Sequence, residues 1–337
     1  MTIKPGALRF NTDSMKLEMF RGESTAGQWE EIQATSPEAQ TGGTRGVFAG
    51  GYTNTPTGAF TDTIDYINVS STGNALDFGN LPSARQDALG TSSNTRGVFA
   101  GSTPGTASDI RFLTIASTGD TQSFGSLTRS SGYHYGCSSQ TRGLYCAGIV
   151  SPALIDTIDY ITIASTGDAV DFGNLSFARD RHSAFASSTR GIIAGGRSGL
   201  PLTLTNAIDF VTISTLGNSA DFGDTATNTQ FSAGCSNSTR GIIAGGYNPT
   251  TLNNIEYLTI STLGNMVDFG DLTVARLASS SCASPTRGVW RGGETPTMQN
   301  VIDYVQIMST GNAIDFGDAT TTATSVSGAC SNGHGGL

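Results

Sequence analysis

Ser188-Thr-Arg-Gly-Ile-Ile-Ala-Gly-Gly196 is followed by Ile208-Asp-Phe-Val-Thr-Ile213, then Gly217-Asn218, then Asp221-Phe-Gly223, and this succession occurs six times in the 337 residues. The Thr-Arg-Gly marker stands at Thr44, Thr95, Thr141, Thr189, Thr239 and Thr286, at intervals of 46 to 51 residues. Self-similarity at such a period decides the architecture before any chemistry.

Each repeat reads as four strands. The first ends just before the marker, as in Ser183-Ala-Phe-Ala186; the others are typified by 46–51, 158–163 and 169–173. Between the third and fourth lies Ser-Thr-Gly-Asn or Ser-Thr-Gly-Asp, a hairpin turn, because Gly and Asn tolerate positive φ. In the third strand Ile158 and Tyr160 point one way and Ile161 and Ile163 the other. A sheet with one wet face alternates more cleanly, so both faces are expected to be packed. The first strand carries Ala, Ser, Cys and Gly, which suits a crowded innermost position. The expected fold is all-β: a six-bladed β-propeller of four-stranded blades over 44–337. The stretch from Ser325 to Asn332 reads as a lone first strand and is expected to complete the first blade, removing the open edge.

Composition narrows the functions. Charged residues are 13%, net charge is −9 and Gly numbers 44, with regular aromatic and β-branched runs that argue against disorder. An acidic surface repels phosphate backbones, so no nucleic-acid partner is expected. No run of 18 apolar residues exists, so no membrane insertion is expected, and the start has no apolar signal core. Of the five cysteines, Cys137, Cys235, Cys282 and Cys330 share one repeat phase. Equivalent positions in successive repeats lie too far apart to bridge, so they read as small buried residues. The three histidines, His134, His182 and His334, have no metal-ligand spacing. No catalytic constellation stands out; neither an enzymatic activity nor a cofactor or metal is expected.

Residues 1–35 lie outside the repeat and hold both lysines, Lys4 and Lys16. Alternating apolar residues about the turn-rich 11–14 read as a β-hairpin too small to bury its own face. Leu8, Phe10, Leu17, Phe20 and Trp29 are therefore the candidate anchor of this module on a partner. Residues 36–43 read as a linker.

Phe48-Ala-Gly-Gly51, Ile64-Asp-Tyr66, Phe78-Gly79 and Leu81-Pro-Ser-Ala-Arg85 together resemble the kelch motif, over roughly 44–337. The chain departs from that motif in using Phe for Trp, in Gly101-Ser102 and Arg111 of the second repeat, and where Thr229 and Ala323 replace the basic residue. The run Pro5–Phe20, with Trp29 downstream, resembles a short module of tailed-bacteriophage virion proteins. The repeats are similar to those of structural proteins from phages of marine cyanobacteria. These resemblances imply a virion protein of the tail, baseplate or fibre, contacting other virion proteins and a host cell-surface glycan or protein. The alternatives are a purely architectural capsid or tail protein without ligand, and a cellular kelch-type interaction module.

Two sets of residues are candidate sites. The six marker arginines could bind an anion, or each could pair within its blade with an acid such as Asp77, Asp171, Asp221, Asp268 or Asp315. The second set lies in the loops after the Gly pair, which vary in length and content among the copies. Recognition residues concentrate on loops held by a rigid scaffold. Tyr52, Phe60, Arg197 and Tyr247 are the ligand-binding candidates there.

Overall fold

The computed structural model describes residues 7–11, 16–21, 27–31, 44–53, 58–86, 89–101, 107–320, 324–325 and 327–337. Every regular element among them is a strand. The chain divides into two compact units, Met1–Gly42 and Gly43–Leu337.

The first unit carries a three-stranded antiparallel sheet of Leu8–Asn11, Lys16–Arg21 and Gln28–Glu31. Leu8 lies opposite Met19 and Phe10 opposite Leu17, and Phe20 faces Trp29 on the third strand. Leu8 is 61% exposed, whereas Phe20 is buried. The side chains of Phe10, Leu17 and Trp29, and the expected linker at 36–43, lie outside the described residues.

The second unit contains, among its described residues, six four-stranded antiparallel sheets. The third has Tyr135–Ser138, Arg142–Val150, Ala153–Thr162 and Val170–Asn174 in that order. The fourth has Ser183–Ala186, Arg190–Ala194, Ala207–Thr212 and Ala220–Asp224. The second, fifth and sixth follow the same order around the markers at Thr95, Thr239 and Thr286. The first sheet takes its small-residue strand from far along the chain: Gly328–Ser331 pairs with Arg45–Ala49, Cys330 opposite Val47.

Three sequence features act in every repeat. The Asp-Phe-Gly of the fourth strand, Ser123-Phe-Gly125 in the second repeat, makes a β-bulge: Ile158 faces Gly173 and Asp159 faces Asp171, leaving Phe172 as the extra residue. The bulge turns the Phe inward, so Phe172 is buried while Asp171 stays exposed. Its ring meets Tyr160 edge-on at 6.0 Å. The following Gly leaves room for the next repeat; a Cβ on Gly223 would lie 2.5 Å from the Gly264 carbonyl oxygen.

The Gly-Asn turn, within Thr215-Leu-Gly-Asn218 in the fourth repeat, does more than reverse the chain. It seals the edge strand of the preceding sheet. Gly217 N donates to Phe172 O at 2.9 Å, and Asn218 Oδ1 accepts from Asn174 N at 3.0 Å. The same pattern joins Asn74 of the first sheet to Asp318 N of the sixth at 3.0 Å. A strand edge that would otherwise recruit another chain is thus paired.

The Gly of each marker accommodates a side chain from the preceding sheet. A Cβ on Gly191 would sit 2.8 Å from Cys137 Sγ, and one on Gly97 2.8 Å from Cys330 Sγ. The cysteines are free and buried, each at such a contact or beside one.

Buried apolar residues form clusters that each span two sheets. Phe172 packs with Ile193 and Val211 between the third and fourth, and Ile161 and Ile163 pack with Phe124 between the second and third. Phe78 meets Phe99, Phe222 meets Ile243, and Phe269 meets Trp290. Phe316 of the sixth sheet packs with Phe48 and Ile67 of the first. Each fully buried Phe contributes on the order of 1.5–3 kcal/mol.

Candidate functional site

The marker arginines do not pair with the edge-strand acids. Asp77, Asp171, Asp221, Asp268 and Asp315 are solvent-exposed. Each marker guanidinium instead lies over the aromatic ring of its own third strand and donates to a carbonyl of the following sheet. Arg142 sits 4.9 Å from the Tyr160 ring centre and bonds Ile213 O at 2.9 Å. Arg45, over Tyr66, bonds Ile115 O at 2.8 Å, and Arg287, over Tyr304, reaches Val69 O at 3.2 Å. The physical reason is that an exposed carboxylate is satisfied by water, whereas a buried carbonyl needs a donor. The planar guanidinium supplies it while stacking on the ring. These six cations are joints between sheets.

The third-strand acids are joints of a second kind, buried against the connection that leaves the preceding sheet. Asp209 takes both Ser176 Oγ and Arg179, the latter at 2.6 Å. Asp303 takes Thr273 Oγ1 at 2.7 Å and Arg276 at 2.9 Å. The departures from the kelch pattern are compensated here. Where Thr229 replaces the basic residue, the acid is Glu256. It accepts from Ala226 N at 2.9 Å and Asn254 Nδ2 at 3.0 Å. Where Ala323 replaces it, Arg291 reaches Asp65 from a neighbouring strand. Where Arg111 replaces the acid, Asp109 receives Arg85 at 2.8 Å and Arg111 at 3.1 Å. Burial works to raise the Asp109 pKa, but the two guanidiniums hold it below the ordinary carboxylate value. Burial raises Asp159 and Glu256, opposed by hydroxyl and backbone donors. Among the described residues, no group of His, Cys, Asp or Glu is placed to hold a metal ion.

Described parts of the loops after the Gly pair carry short strands of their own. Tyr52–Thr53 and Ala59–Phe60 form a short hairpin joined by Thr324–Ser325. Arg197–Ser198 pairs with both Arg179–Asp180 and Thr203–Leu204. In the third sheet the two central strands simply run on to Val150 and Ala153.

The four ligand-binding candidates fall into two pairs. Tyr52 and Phe60 stand opposite each other, half-buried, with ring centres 5.6 Å apart. Arg197 and Tyr247 each connect to Arg181 through one residue, Asp180 and Gln230. Arg197 grips Asp180 in a bidentate pair at 2.7 and 2.9 Å, so its guanidinium is already committed. Tyr247 is 37% exposed and bridges Gln230, whose side chain accepts from Arg181 at 3.4 Å. Among the described residues, no hydrogen bond or ring contact joins the Tyr52–Phe60 pair to this group.

Arg181 itself went unnoticed in the sequence. Its guanidinium lies 4.8 Å from the Tyr133 ring centre and 4.5 Å from that of Phe231. The three residues hold one repeat phase, immediately before the small-residue strands. All three have positive φ, at 49°, 55° and 59°. Their backbones form a chain: Arg181 N donates to Tyr133 O at 3.2 Å, and Phe231 N to Arg181 O at 2.9 Å. Left-handed conformations of bulky residues cost free energy and are held by their surroundings. The available signal was variation at a fixed phase: Tyr, Arg and Phe where Ala278 stands in the next repeat.

The small-residue strands surround a cavity of about 60 Å³ lined by Tyr135, Ser280, Ser281 and Ser327. That volume holds a few waters. Toward the marker turns lies a second cavity of about 70 Å³. His334 borders it, with Nε2 3.2 Å from both Ser138 Oγ and the Ser92 carbonyl. Gly335 N donates to Ser236 O at 2.8 Å. Burial lowers the His334 pKa to about 4 against the opposing Ser92 carbonyl, so the ring is neutral at pH 7. His134 is lowered to about 4 and His182 well below its ordinary value, both chiefly by burial.

No family model and no curated protein matches the chain.

Proposed function

We propose that the six sheets are the blades of a β-propeller closed by Gly328–Ser331, and that the protein is a structural component of a tailed-phage virion, of its tail, baseplate or fibre. The propeller is a display scaffold, and the face carrying the variable loops contacts a host-surface glycan or protein. The module at 1–35 is the attachment to other virion proteins. Support for closure comes from the Phe316 cluster and from Arg287, which tie the sixth sheet to the first as every other sheet is tied to its successor.

The observation that carries the functional reading is a division of labour between repeated and variable residues. The repeated polar residues are consumed in joints between sheets: marker arginines on carbonyls, third-strand acids on the preceding connection, turn asparagines on strand edges. The repeat-specific residues Tyr133, Arg181, Phe231 and Tyr247 gather instead beside the loops that follow the Gly pairs. Such an arrangement suits recognition by a rigid body. The architectural reading without a ligand draws on the commitment of Arg197 to Asp180 and on the mutual packing of Tyr52 and Phe60.

Antibodies against the chain, applied to purified phage particles under the electron microscope, test the assignment. Label at the tail or its baseplate is expected. Particles that contain no such chain overturn it. Adhesion of the full chain to host cells then separates recognition from pure architecture.

A further inference from the structure

Two guanidiniums, Arg181 and Arg197, share a single carboxylate, Asp180. Arg197 occupies both of its oxygens, while Arg181 Nε stays 3.8 Å from Oδ2. Arg181 Nε is buried without a hydrogen-bond partner, although 20% of the side chain reaches solvent. Its Nη1 makes a long 3.4 Å contact to Gln230 Oε1, and Tyr133 also favours its charge. Together Arg181, Arg197 and Asp180 carry one net positive charge, on a chain whose net charge is −9. Arg179 and Arg276 each have a carboxylate of their own within 2.9 Å, whereas Arg85 and Arg111, like Arg181 and Arg197, share one, Asp109.

The surroundings of Arg181 match a second element of recognition. Tyr133 and Phe231 cover the guanidinium and hold it in place, so little side-chain entropy remains to be lost on binding. Tyr247, 37% exposed, stands next to Gln230 at the same group. Aromatic rings and an amide offer apolar contact to C–H surfaces and hydrogen bonds to hydroxyls. That combination fits a sugar ring better than an acidic peptide, whose side chains would want either more cations or an apolar groove.

We propose that Arg181, framed by Tyr133 and Phe231, is the binding site for a carboxylate-bearing saccharide, its acidic group docking on the guanidinium. The proposal rests on reading the loop face as the recognition face and names the ligand class for it. The incoming carboxylate replaces the counter-charge that Arg197 has taken. Burial and the neighbouring Arg197 disfavour the charge on Arg181 against the opposing pull of Asp180 and Tyr133, so the anion also relieves an existing penalty.

Calorimetric titration of the full chain with galacturonic acid trimer and with the neutral galactose trimer tests this. The acidic trimer is expected to bind and the neutral trimer not. Arg181→Gln is expected to weaken binding about tenfold or more, the scale of one lost charge-assisted hydrogen-bonded contact. A melting curve accompanies each variant. If Arg181→Gln does not fold, Phe231→Leu keeps the guanidinium and removes one framing ring, with a loss of about fivefold expected from a single aromatic contact. Equal binding of both trimers, absence of binding to the folded wild type, or undiminished binding by a folded Arg181→Gln variant overturns the proposal. So does a hexaglutamate peptide that binds as tightly as the acidic trimer. Host-cell adhesion that survives Arg181→Gln leaves the display function standing and removes this site from it. Failure of particle labelling removes the virion assignment without touching the titration.

Discussion

Arg291 of the sixth sheet and Asp65 of the first form a buried ion pair, Nη2 bonded to Oδ2. Arg291 stands where other repeats have Ala49, Ala100, Ala194 or Ala244, and the cation expected from the preceding connection is missing at Ala323. One guanidinium has thus changed its point of departure and kept its destination. Arg291→Ala is expected to cost about 3–5 kcal/mol, because it strands a buried carboxylate. Arg291→Ala combined with Asp65→Asn is expected to recover a large part of that loss. Urea denaturation of Arg291→Ala, Asp65→Asn and the double variant measures it; a double variant as unstable as the sum of the singles would refute the pairing.

The contact of Gly191 with Cys137 makes a second cycle. Gly191→Ala places a methyl group 2.8 Å from Cys137 Sγ and 3.2 Å from Val211. Overpacking of this kind costs about 1–3 kcal/mol. With Cys137→Ala in the background, the cost of Gly191→Ala is expected to fall below half. An unchanged cost in that background would mean that the sulfur is not what the glycine makes room for.

Asn218→Ala removes the acceptor for Asn174 N at the edge of the third sheet. A loss of about 0.5–1.5 kcal/mol is expected. A sharper readout is hydrogen exchange, which should accelerate at Asn174 and not at Asn80, whose acceptor is Asp120. Equal acceleration at both amides would contradict local sealing of edges.

Acid sensitivity follows from His134 and His334, both lowered to about 4 by burial. An unfolded histidine titrates near 6.5. Between about 6.5 and 4 the unfolded chain binds protons at these rings and the folded chain does not. Stability is therefore complete above about 6.5 and is lost as pH falls, by on the order of 3 kcal/mol per ring. Asp159 and Glu256, raised by burial, act with the opposite sign and offset part of this. The melting temperature should fall from pH 7.5 to pH 4.5, and the His334→Gln variant should show a shallower fall. A flat profile for the wild type would rule the histidines out as the cause.

Deletion of residues 324–337 takes Gly328–Ser331 from the first sheet and His334 from the cavity beside it. A strong drop in melting temperature is expected. A truncated protein with the wild-type curve would show that the first sheet does not depend on that strand.

The strands were legible because their signals are local. Small residues before the marker, apolar residues on both faces of the third strand and a Gly-Asn turn each report on a backbone within a few residues. Side-chain destinations were less so. The marker arginines bond carbonyls such as Ile213 O and Ile115 O, and a backbone acceptor leaves no trace in residue type. The turn asparagines read as tolerators of positive φ, yet their amides also serve the sheet before them. Tyr133, Arg181 and Phe231 are 48 and 50 residues apart, and only their shared phase and left-handed backbones bring them together. Arg197 was visible as a loop cation, but Asp180, which occupies it, lies in a different connection.

The sealing of each edge by the following repeat bears on how the chain matures on the ribosome. The edge of the third sheet is covered as soon as residues 217–219 emerge. The first sheet is different: it waits for Gly328–Ser331, made more than two hundred residues after its partner Arg45–Ala49. Through most of synthesis that flank of Arg45–Ala49 is bare, a place where a nascent neighbour on the same message or a holding chaperone can pair.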